Sequence, residues 1–209
     1  MLKVAIIDDE ALFRGGFELI LGGTPDIEVV ASTDGVSAVG EITRSDPDVV
    51  LLDVRMPGRS GLDVLRDLQQ WARPPATAVL TTFDTDEYIA TALHLGAAGF
   101  LVKDTDPEQL PALIRSLAAG GIVLSPQVSR SLLAATRSTT RWDSRVDSLS
   151  SREREVLALL HTGASNAAIG EAMHLSSATI KDHVSSILTK LGVTSRLQAA
   201  LIAERHSPR

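Results

Sequence analysis

The 209-residue sequence contains no cysteine. Disulfide bonds, thiolate zinc sites and cysteine nucleophiles are therefore excluded. The sequence also lacks an apolar run near the roughly 20 residues that a membrane-spanning helix needs, and its first residues lead directly into a strand rather than into a signal sequence. We therefore expect a cytoplasmic protein with no membrane partner. With 44% hydrophobic residues, the chain can build one large domain or two modest domains.

The net charge of −6 is divided unevenly along the chain. Residues 1–120 contain nine basic and 19 acidic residues, a net charge of −10, whereas residues 121–209 contain eleven basic and seven acidic residues, a net charge of +4. This division indicates an acidic domain joined to a second domain that is able to approach a polyanion such as a nucleic acid.

Hydrophobic periodicity alternates between strand and helix five times in residues 1–120. This alternation is typical of an α/β doubly wound fold, in which helices cover both faces of a parallel sheet. A further helix is predicted over 128–135, and the serine-, threonine- and arginine-rich stretch 136–148 is interpreted as a linker. The predicted strands are 3–7, 27–31, 49–52, 77–80 and 99–102, and the predicted helices are 11–22, 35–44, 62–71, 85–95 and 107–119.

Only helical periods occur after Leu149, where four helices are predicted. Ser150 and Glu153 form a capping box at the start of the first helix. A tight connection around 174–176 joins two short helices, as in a helix-turn-helix motif. The third helix carries one buried stripe, made of Ile180, Val184, Ile187 and Leu191. These features predict an all-α domain.

The strongest candidate for a functional residue is Asp53, which follows four consecutive apolar residues, 49–52. Such a run predicts a central strand that is buried on both faces. Open α/β sheets bind their ligands at the carboxyl ends of the strands. Three other predicted strands also end in polar residues, namely Asp8 and Asp9, Thr81, and Lys103. We therefore expect these side chains to share one pocket.

The chemistry of this set favours phosphoryl transfer to a carboxylate. Crowded carboxylates raise one another's pKa unless a cation lies among them, and Mg²⁺ prefers such oxygen ligands. Lys103 supplies a point charge for a phosphoryl oxygen, and Thr81 supplies a hydroxyl donor. The nucleophile would then be Asp53, with the metal and the lysine neutralising charge in the transition state.

Residues 1–120 resemble the receiver domain of two-component response regulators, which has a flavodoxin-like fold. The resemblance implies that Asp53 accepts a phosphoryl group from a sensor histidine kinase. It also implies a Mg²⁺ site at the acidic pair Asp8 and Asp9, Asp53 and the backbone carbonyl of Arg55, with Asp8 orienting a water molecule. Residues 121–148 would then connect this domain to the helical one.

The same resemblance implies a switch. A phosphoryl group on Asp53 would draw the Thr81 hydroxyl inward and allow Phe100 to rotate into the space that Thr81 leaves, while Lys103 contacts the phosphate. The surface formed by the fourth helix, fifth strand and fifth helix would change as a result.

Residues 149–203 resemble the tetrahelical helix-turn-helix domain of the NarL/FixJ (LuxR-type) regulators, and we expect the domain to comprise 149–209. The matching segments are 149–157, 163–166, 169–170, 177–184 and 190–193. On the third helix, the face opposite the buried stripe would enter the major groove of double-stranded DNA, and it consists of Ala178, Lys181, Asp182, Ser185 and Thr189. The expected phosphate contacts are Ser165, Asn166, Thr179, Lys190 and Arg196.

We therefore expect a phosphorylation-dependent transcription regulator, not an enzyme, that dimerises when phosphorylated and binds repeated half-sites in a promoter. Two alternatives stay open at this point. An aspartyl-phosphate phosphatase usually has a second acid two residues after its nucleophile, and the arginine at that position, Arg55, argues against this activity. The other alternative is a DNA-binding protein whose receiver is only a passive dimerisation module.

Overall fold

The computed structural model describes residues 1–81, 86–125, 128–129 and 143–206. The predicted helix 128–135, except for its first two residues, and residues 130–142 of the predicted linker lie outside the described residues. None of the helices in the described ranges is both long and apolar enough to cross a membrane.

The first part of the chain forms a parallel sheet with helices on both faces, as predicted. Across the described residues the sheet has six strands in the order β2-β1-β3-β4-β5-β6. The strands are β1 (Leu2–Ile7), β2 (Ile27–Thr33), β3 (Val49–Asp53), β4 (Ala76–Thr81), β5 (Gly99–Val102) and β6 (Val123–Leu124). The helices are α1 (Ala11–Gly22), α2 (Ala38–Ser45), α3 (Gly61–Leu68), α4 (Asp86–His94) and α5 (Leu110–Ala118).

The central strand β3 explains how the sheet is buried on both faces. Residues 49–52 are fully buried, and because successive side chains of a strand point to opposite faces, they divide between two cores. Val50 and Leu52 pack on one face, in the core that includes residues of α2, α3 and α4. Val49 and Leu51 pack on the other face, in the core that includes residues of α1 and α5.

The sixth strand was not predicted. It pairs in parallel with β5, with Gly99 opposite Val123 and Phe100 opposite Leu124. A strand of two residues is too short to produce a hydrophobic period, so its pairing partner, rather than its own sequence, defines it.

The second part of the chain is helical, as predicted. Its helices are α6 (Asp143–Val146), α7 (Ser151–Leu160), α8 (Asn166–Met173), α9 (Ser177–Leu191) and α10 (Arg196–His206). The capping box of Ser150 and Glu153 is present, and the predicted stripe on α9 is buried. Helix α6 differs from the prediction, since 136–148 was interpreted as a linker. Arg145 donates a hydrogen bond to the carbonyl of Leu191 at 2.8 Å, which attaches this short helix to the end of α9.

Candidate functional site

The carboxylate of Asp53 lies at the carboxyl end of β3 and is 6% exposed. Lys103 follows β5, and its backbone N–H donates to the Thr81 carbonyl, which holds the lysine beside the ends of β4 and β5. The Lys103 Nζ lies 3.1 Å from Asp53 Oδ2 and 2.8 Å from Asp8 Oδ2. The predicted convergence of Asp8, Asp53 and Lys103 is therefore present in the structure.

A third carboxylate, that of Glu10, completes the cluster. Its Oε1 lies 3.0 Å from Lys103 Nζ, and one oxygen from each of Asp8, Glu10 and Asp53 lies within 4.8 Å of the other two. Asp9, which we expected at the metal, is not a member of this group. Asp8 Oδ1 accepts the Glu10 N–H at 2.8 Å, and this turn follows directly after β1.

The charges in this cluster do not balance. Three carboxylates and the ammonium of Lys103 leave an excess of two negative charges when all are ionised. Burial raises the pKa of Asp53, and this effect exceeds the lowering by the hydrogen bond from Lys103. Burial lowers the pKa of Lys103, but its close contacts with the carboxylates of Asp8, Glu10 and Asp53 outweigh burial and raise it. Lys103 is therefore charged at neutral pH.

The donor set fits a divalent cation. Asp8 Oδ2 is buried and meets Lys103 as an ion pair without an aligned hydrogen bond, so one buried anionic oxygen retains capacity for a further ligand. Carboxylate oxygens in this number are what Mg²⁺ binds. The backbone of Arg55 lies beside this cluster, because its N–H donates to Asp53 Oδ1 at 3.3 Å. Its guanidinium lies 5.9 Å from the centre of the Tyr88 ring.

The two expected switch residues lie on neighbouring strands. Thr81 ends β4 and is 9% exposed. Phe100 is fully buried and packs in the core on the side of α2, α3 and α4. In this structure the ring is therefore packed in the core between the sheet and these helices.

The turn after Asp53 depends on a glycine. Gly61 begins α3, and its N–H donates to the Val54 carbonyl at 3.0 Å. A Cβ atom at Gly61 would overlap the carbonyl oxygen of Asp53. The backbone of Asp53 and the start of α3 are thus in direct contact, and only glycine at position 61 leaves room for this contact.

Replacing Gly61 with alanine is therefore expected to lower the free energy of unfolding by about 1–3 kcal/mol, the usual cost of overpacking. Chemical denaturation followed by circular dichroism measures this. The control is Gly40→Ala on α2, where a Cβ meets nothing within 4 Å and alanine is expected to be neutral or stabilising. If the two variants were equally stable, the contact between Gly61 and Asp53 would have room for a Cβ atom after all.

On α9, the side opposite the buried stripe is exposed. All five residues that we expected to face the major groove, Ala178, Lys181, Asp182, Ser185 and Thr189, are exposed. Two of the hydroxyl groups donate within the helix: Ser185 to the Lys181 carbonyl at 2.9 Å and Thr189 to the Ser185 carbonyl at 3.0 Å. Lys181 is left as the basic side chain on this face.

Of the five expected phosphate contacts, Lys190 lies in an ion pair. Its Nζ is 2.8 and 2.7 Å from the two carboxylate oxygens of Glu153, which is buried and also accepts from Ser186. The hydrogen bonds from Lys190 and Ser186 lower the pKa of Glu153 to about 2. Glu153 thus joins α7 to α9.

Replacing Glu153 with glutamine is expected to lower the stability of the helical unit by about 1–3 kcal/mol at pH 7, because the charged hydrogen bonds are lost. The folded pKa lies below the ordinary value, so the stabilisation is present above about pH 4.5 and disappears as the pH falls towards 2. Denaturation curves of variant and parent should differ at pH 7 and converge as the pH approaches about 2. The control is Glu155→Gln, which removes an exposed ion pair with Arg152 and is expected to change little.

Arg196 is buried in this conformation, whereas a contact with a DNA phosphate requires an exposed side chain. It is 8% exposed and donates to Asn166 Oδ1 at 3.0 Å and to the Ala164 carbonyl at 2.7 Å. Its Nε is buried without a partner, and among the described residues no carboxylate pairs with it. Burial lowers its pKa to about 10. Ser165 and Thr179 are half-buried and exposed, respectively.

The helical unit packs against the receiver-like unit at the ends of α4 and α5. Thr194 Oγ1 donates to the His94 carbonyl at 3.1 Å, and Gln198 Nε2 donates to the Leu93 carbonyl at 2.8 Å. The Asn166 N–H donates to the carbonyl of Ala119, just after α5, at 3.2 Å. The last carbonyls of a helix have no partners inside it, so Thr194 and Asn166 pair with such groups at His94 and at the end of α5. The Leu93 carbonyl accepts the Gly96 N–H as well as the Gln198 amide.

The expected DNA-reading face of α9 lines a cleft of about 870 Å³ between the two units. Ala178, Lys181 and Ser185 line it from α9, and Gln69 and Arg73 are among the residues that line it from the other unit. A helix reads DNA by entering the major groove, so a duplex on this face would have to pass between α9 and the residues on the other side of the cleft. The face is thus exposed to solvent, and three of its five residues are opposed by the receiver-like unit in this arrangement.

Comparison with known proteins gives two family matches that together span most of the chain. Residues 4–115 match the profile of the response regulator receiver domain, and residues 147–203 match that of bacterial regulatory proteins of the luxR family. The chain is 37% identical to the transcriptional regulatory protein DegU of Brevibacillus brevis, over 96% of this chain and 92% of DegU.

Two further relatives are similar along their whole length. The nitrate/nitrite response regulator NarL of Escherichia coli K12 is 36% identical over 95% of this chain and 93% of NarL. The crystal structure of ChrA, the response regulator of a heme-sensing two-component system, superposes with a TM-score of 0.55 and 34% identity, over 98% of this chain and 97% of ChrA. The order of domains is therefore the same in this chain and in complete regulators.

Proposed function

This chain belongs to the NarL/FixJ (LuxR-type) family of two-component response regulators, and we propose that phosphorylation of Asp53 switches its binding to DNA. The observation that carries the proposal is the buried carboxylate of Asp53, 3.1 Å from Lys103 Nζ, in a cluster with an excess of negative charge. The proposed phosphodonor is a sensor histidine kinase. The domain limits that we propose are 1–120 for the receiver, 121–148 for the connection and 149–209 for the DNA-binding domain.

In the proposed reaction, a carboxylate oxygen of Asp53 attacks the phosphorus atom of a phosphohistidine, and the histidine nitrogen leaves with the electron pair of the broken P–N bond. Lys103 is within reach of a phosphoryl oxygen on Asp53, because it already contacts that carboxylate. It neutralises charge that develops on the phosphoryl oxygens. The Thr81 hydroxyl is the second proposed donor to the phosphate.

We also propose that the carboxylate cluster holds Mg²⁺. The family resemblance assigns the metal to Asp8, Asp9, Asp53 and the backbone carbonyl of Arg55, and we add Glu10 because its carboxylate lies in the cluster. When bound, the metal supplies positive charge beside the transferring phosphoryl group. Its role is supported by the buried Asp8 oxygen that lacks an aligned hydrogen bond.

The test is the intact mass of the protein after incubation with acetyl phosphate and Mg²⁺. The wild type is expected to gain one phosphate, and Asp53→Asn is expected to gain none. The matched control is Asp104→Asn, which changes an exposed carboxylate one residue from Lys103 and should still gain the phosphate. Modification of Asp53→Asn, or a wild type that stays unmodified with the donor present, would contradict the proposal.

For the output, we propose that two phosphorylated copies bind repeated half-sites in promoter DNA, each placing α9 in the major groove. Lys181 then contacts a base edge or a phosphate, while Ser165, Asn166 and Thr179 contact phosphates. Lys190 and Arg196 join these contacts only after they leave their present partners. The separation of α9 from the receiver, which frees its reading face, is the step that phosphorylation is proposed to favour.

A further inference from the structure

Glu10 occupies the start of a helix that its side chain does not stabilise. It is the N-cap residue of α1, a position that favours Ser, Thr, Asp and Asn, because their short side chains accept from the free N–H groups of the first turn. The Glu10 side chain makes no such hydrogen bond, and its Oε1 lies 3.0 Å from Lys103 Nζ instead. The helix therefore does not explain a glutamate at this position, whereas the cluster around Asp53 gives its carboxylate a contact.

Glu10 is also the exposed carboxylate of that cluster. Its side chain is 56% exposed, compared with 8% for Asp53 and 0% for Asp8. The side chain of Lys103 is 4% exposed, and the centre of the Phe13 ring lies 4.5 Å from its Nζ. A molecule that approaches Asp53 from solvent therefore meets the negative charge of Glu10 before it reaches the positive charge of the lysine.

The ammonium of Lys103 does not cancel the charge of Glu10, because it is shared. The same Nζ lies 2.8 Å from Asp8 Oδ2 and 3.1 Å from Asp53 Oδ2. One oxygen of Glu10 lies within 4.8 Å of one oxygen of Asp53, which is shorter than the screening length of about 8 Å at physiological salt. A phosphoryl group that reaches Asp53 therefore enters the field of the Glu10 carboxylate.

Phosphodonors differ in the negative charge that they bring into this field. Acetyl phosphate is a dianion at neutral pH, and its leaving group is a carboxylate. A phosphoramidate, the class that includes phosphohistidine, has a nitrogen leaving group that carries a proton, so its net negative charge is smaller. Because like charges repel, Glu10 slows the approach of the acyl phosphate by the larger factor.

We propose that Glu10 is a specificity-determining residue, whose charge selects against acyl phosphates and in favour of phosphoramidates as donors to Asp53. This inference rests on the proposed function, in which Asp53 is the acceptor. With either donor, an Asp53 oxygen forms a new bond to phosphorus. The P–O bond of the acyl phosphate breaks and the carboxylate leaves with its electron pair, whereas the P–N bond of the phosphoramidate breaks and the nitrogen leaves with the pair as a neutral amine. Glu10 touches neither bond and acts through its charge.

The experiment compares two donors on the full chain. Glu10→Gln removes the charge and preserves the shape of the side chain. Intact mass gives the rates of phosphate gain with acetyl phosphate and with phosphoramidate at the same saturating Mg²⁺. The ratio of the first rate to the second is expected to rise about 3-fold in Glu10→Gln, the effect of one unit charge at roughly 6 Å in water. A change in Mg²⁺ binding alters both rates together and leaves this ratio unchanged.

Two control variants separate the local charge of Glu10 from other effects. Glu10→Asp keeps the charge and should keep the ratio of the wild type. Glu18→Gln removes an exposed carboxylate of α1 that is roughly 12 Å further along the helix at 1.5 Å per residue, beyond the screening length, and should also keep it. Added salt is expected to raise the ratio of the wild type towards that of Glu10→Gln, because salt screens the repulsion.

Three results would overturn the proposal: a ratio in Glu10→Gln equal to that of the wild type, an equal rise in Glu18→Gln, or a Glu10→Asp protein that behaves like Glu10→Gln. Failure of the proposed function gives a different result. In that case neither donor adds phosphate to any of these proteins, or Asp53→Asn gains phosphate as well, and both proposals are refuted. Normal phosphate gain on Asp53 with an unchanged ratio refutes only the selection by Glu10.

Discussion

Phosphorylation of Asp53 by a small phosphodonor is expected to slow by about 100- to 1,000-fold when Lys103 is replaced with methionine, the loss that removal of one preorganised donor usually causes. The reason is that Lys103 is the cation in contact with three carboxylates, including that of Asp53. Methionine preserves the length of the side chain but brings no charge to the phosphoryl oxygens. The rate of mass gain with acetyl phosphate and Mg²⁺ measures the effect.

The same substitution also tests the electrostatics of the site without any phosphodonor. Removing the lysine leaves three carboxylates facing one another, and breaking a buried ion pair in this way costs about 3–5 kcal/mol. A divalent cation would offset that repulsion, so Mg²⁺ is expected to raise the melting temperature of Lys103→Met by more than that of the wild type. The control is Lys3→Met at an exposed lysine. A variant with normal phosphorylation and stability would refute this role of Lys103.

Much of the receiver follows from the sequence, because the features that define it are local and strong. The run 49–52 is buried on both faces of the sheet, and this burial is what makes it apolar at every position rather than at alternate ones. The end of the run fixes Asp53 at the ligand-binding edge. Asp8 follows β1, which pairs with β3, and Lys103 follows β5, on the far side of β4. All three residues meet in the structure because these parallel strands end at the same edge.

The features that the sequence analysis missed depend mostly on tertiary contacts, which a short sequence pattern does not reveal. The membership of Glu10 in the cluster comes from the turn in which Asp8 accepts its N–H, although the spacing of two residues could have indicated it. Helix α6 is attached through Arg145 to the end of α9, 46 residues away. The burial of Arg196 comes from packing that the helical period of α10 does not encode. For Arg145 and Arg196 the partner is distant in sequence.

The second prediction concerns the contact between the helical unit and the receiver. Thr194 and Gln198 donate to the carbonyls of His94 and Leu93, which end α4. Helix α4 is the first helix after Thr81, the residue proposed to respond to phosphate. A shift of Thr81 therefore acts first on the element that holds the DNA-binding unit in place, and small shifts at one site are amplified when a packed interface has two arrangements.

A protein carrying Thr194→Val and Gln198→Leu is accordingly expected to open without phosphorylation and to bind DNA about 5- to 150-fold more tightly than the unphosphorylated wild type. Each lost hydrogen bond weakens the closed state by about 0.5–1.5 kcal/mol, and apparent affinity rises in proportion to the fraction of molecules that are open. Fluorescence anisotropy with a labelled duplex at low salt measures the affinity, and small-angle scattering measures the accompanying increase in radius of gyration.

The matched control is Gln109→Leu, which removes an exposed side-chain amide of the receiver that donates to Asp106 in its own loop. It should change neither the radius nor the affinity. If the double variant keeps the compact radius and the affinity of the wild type, the hydrogen bonds to α4 do not hold the closed arrangement, and the apolar contact of Leu197 with the receiver core would be the element that does. If the radius increases while the affinity does not, the face of α9 that includes Lys181 is not the DNA-reading surface.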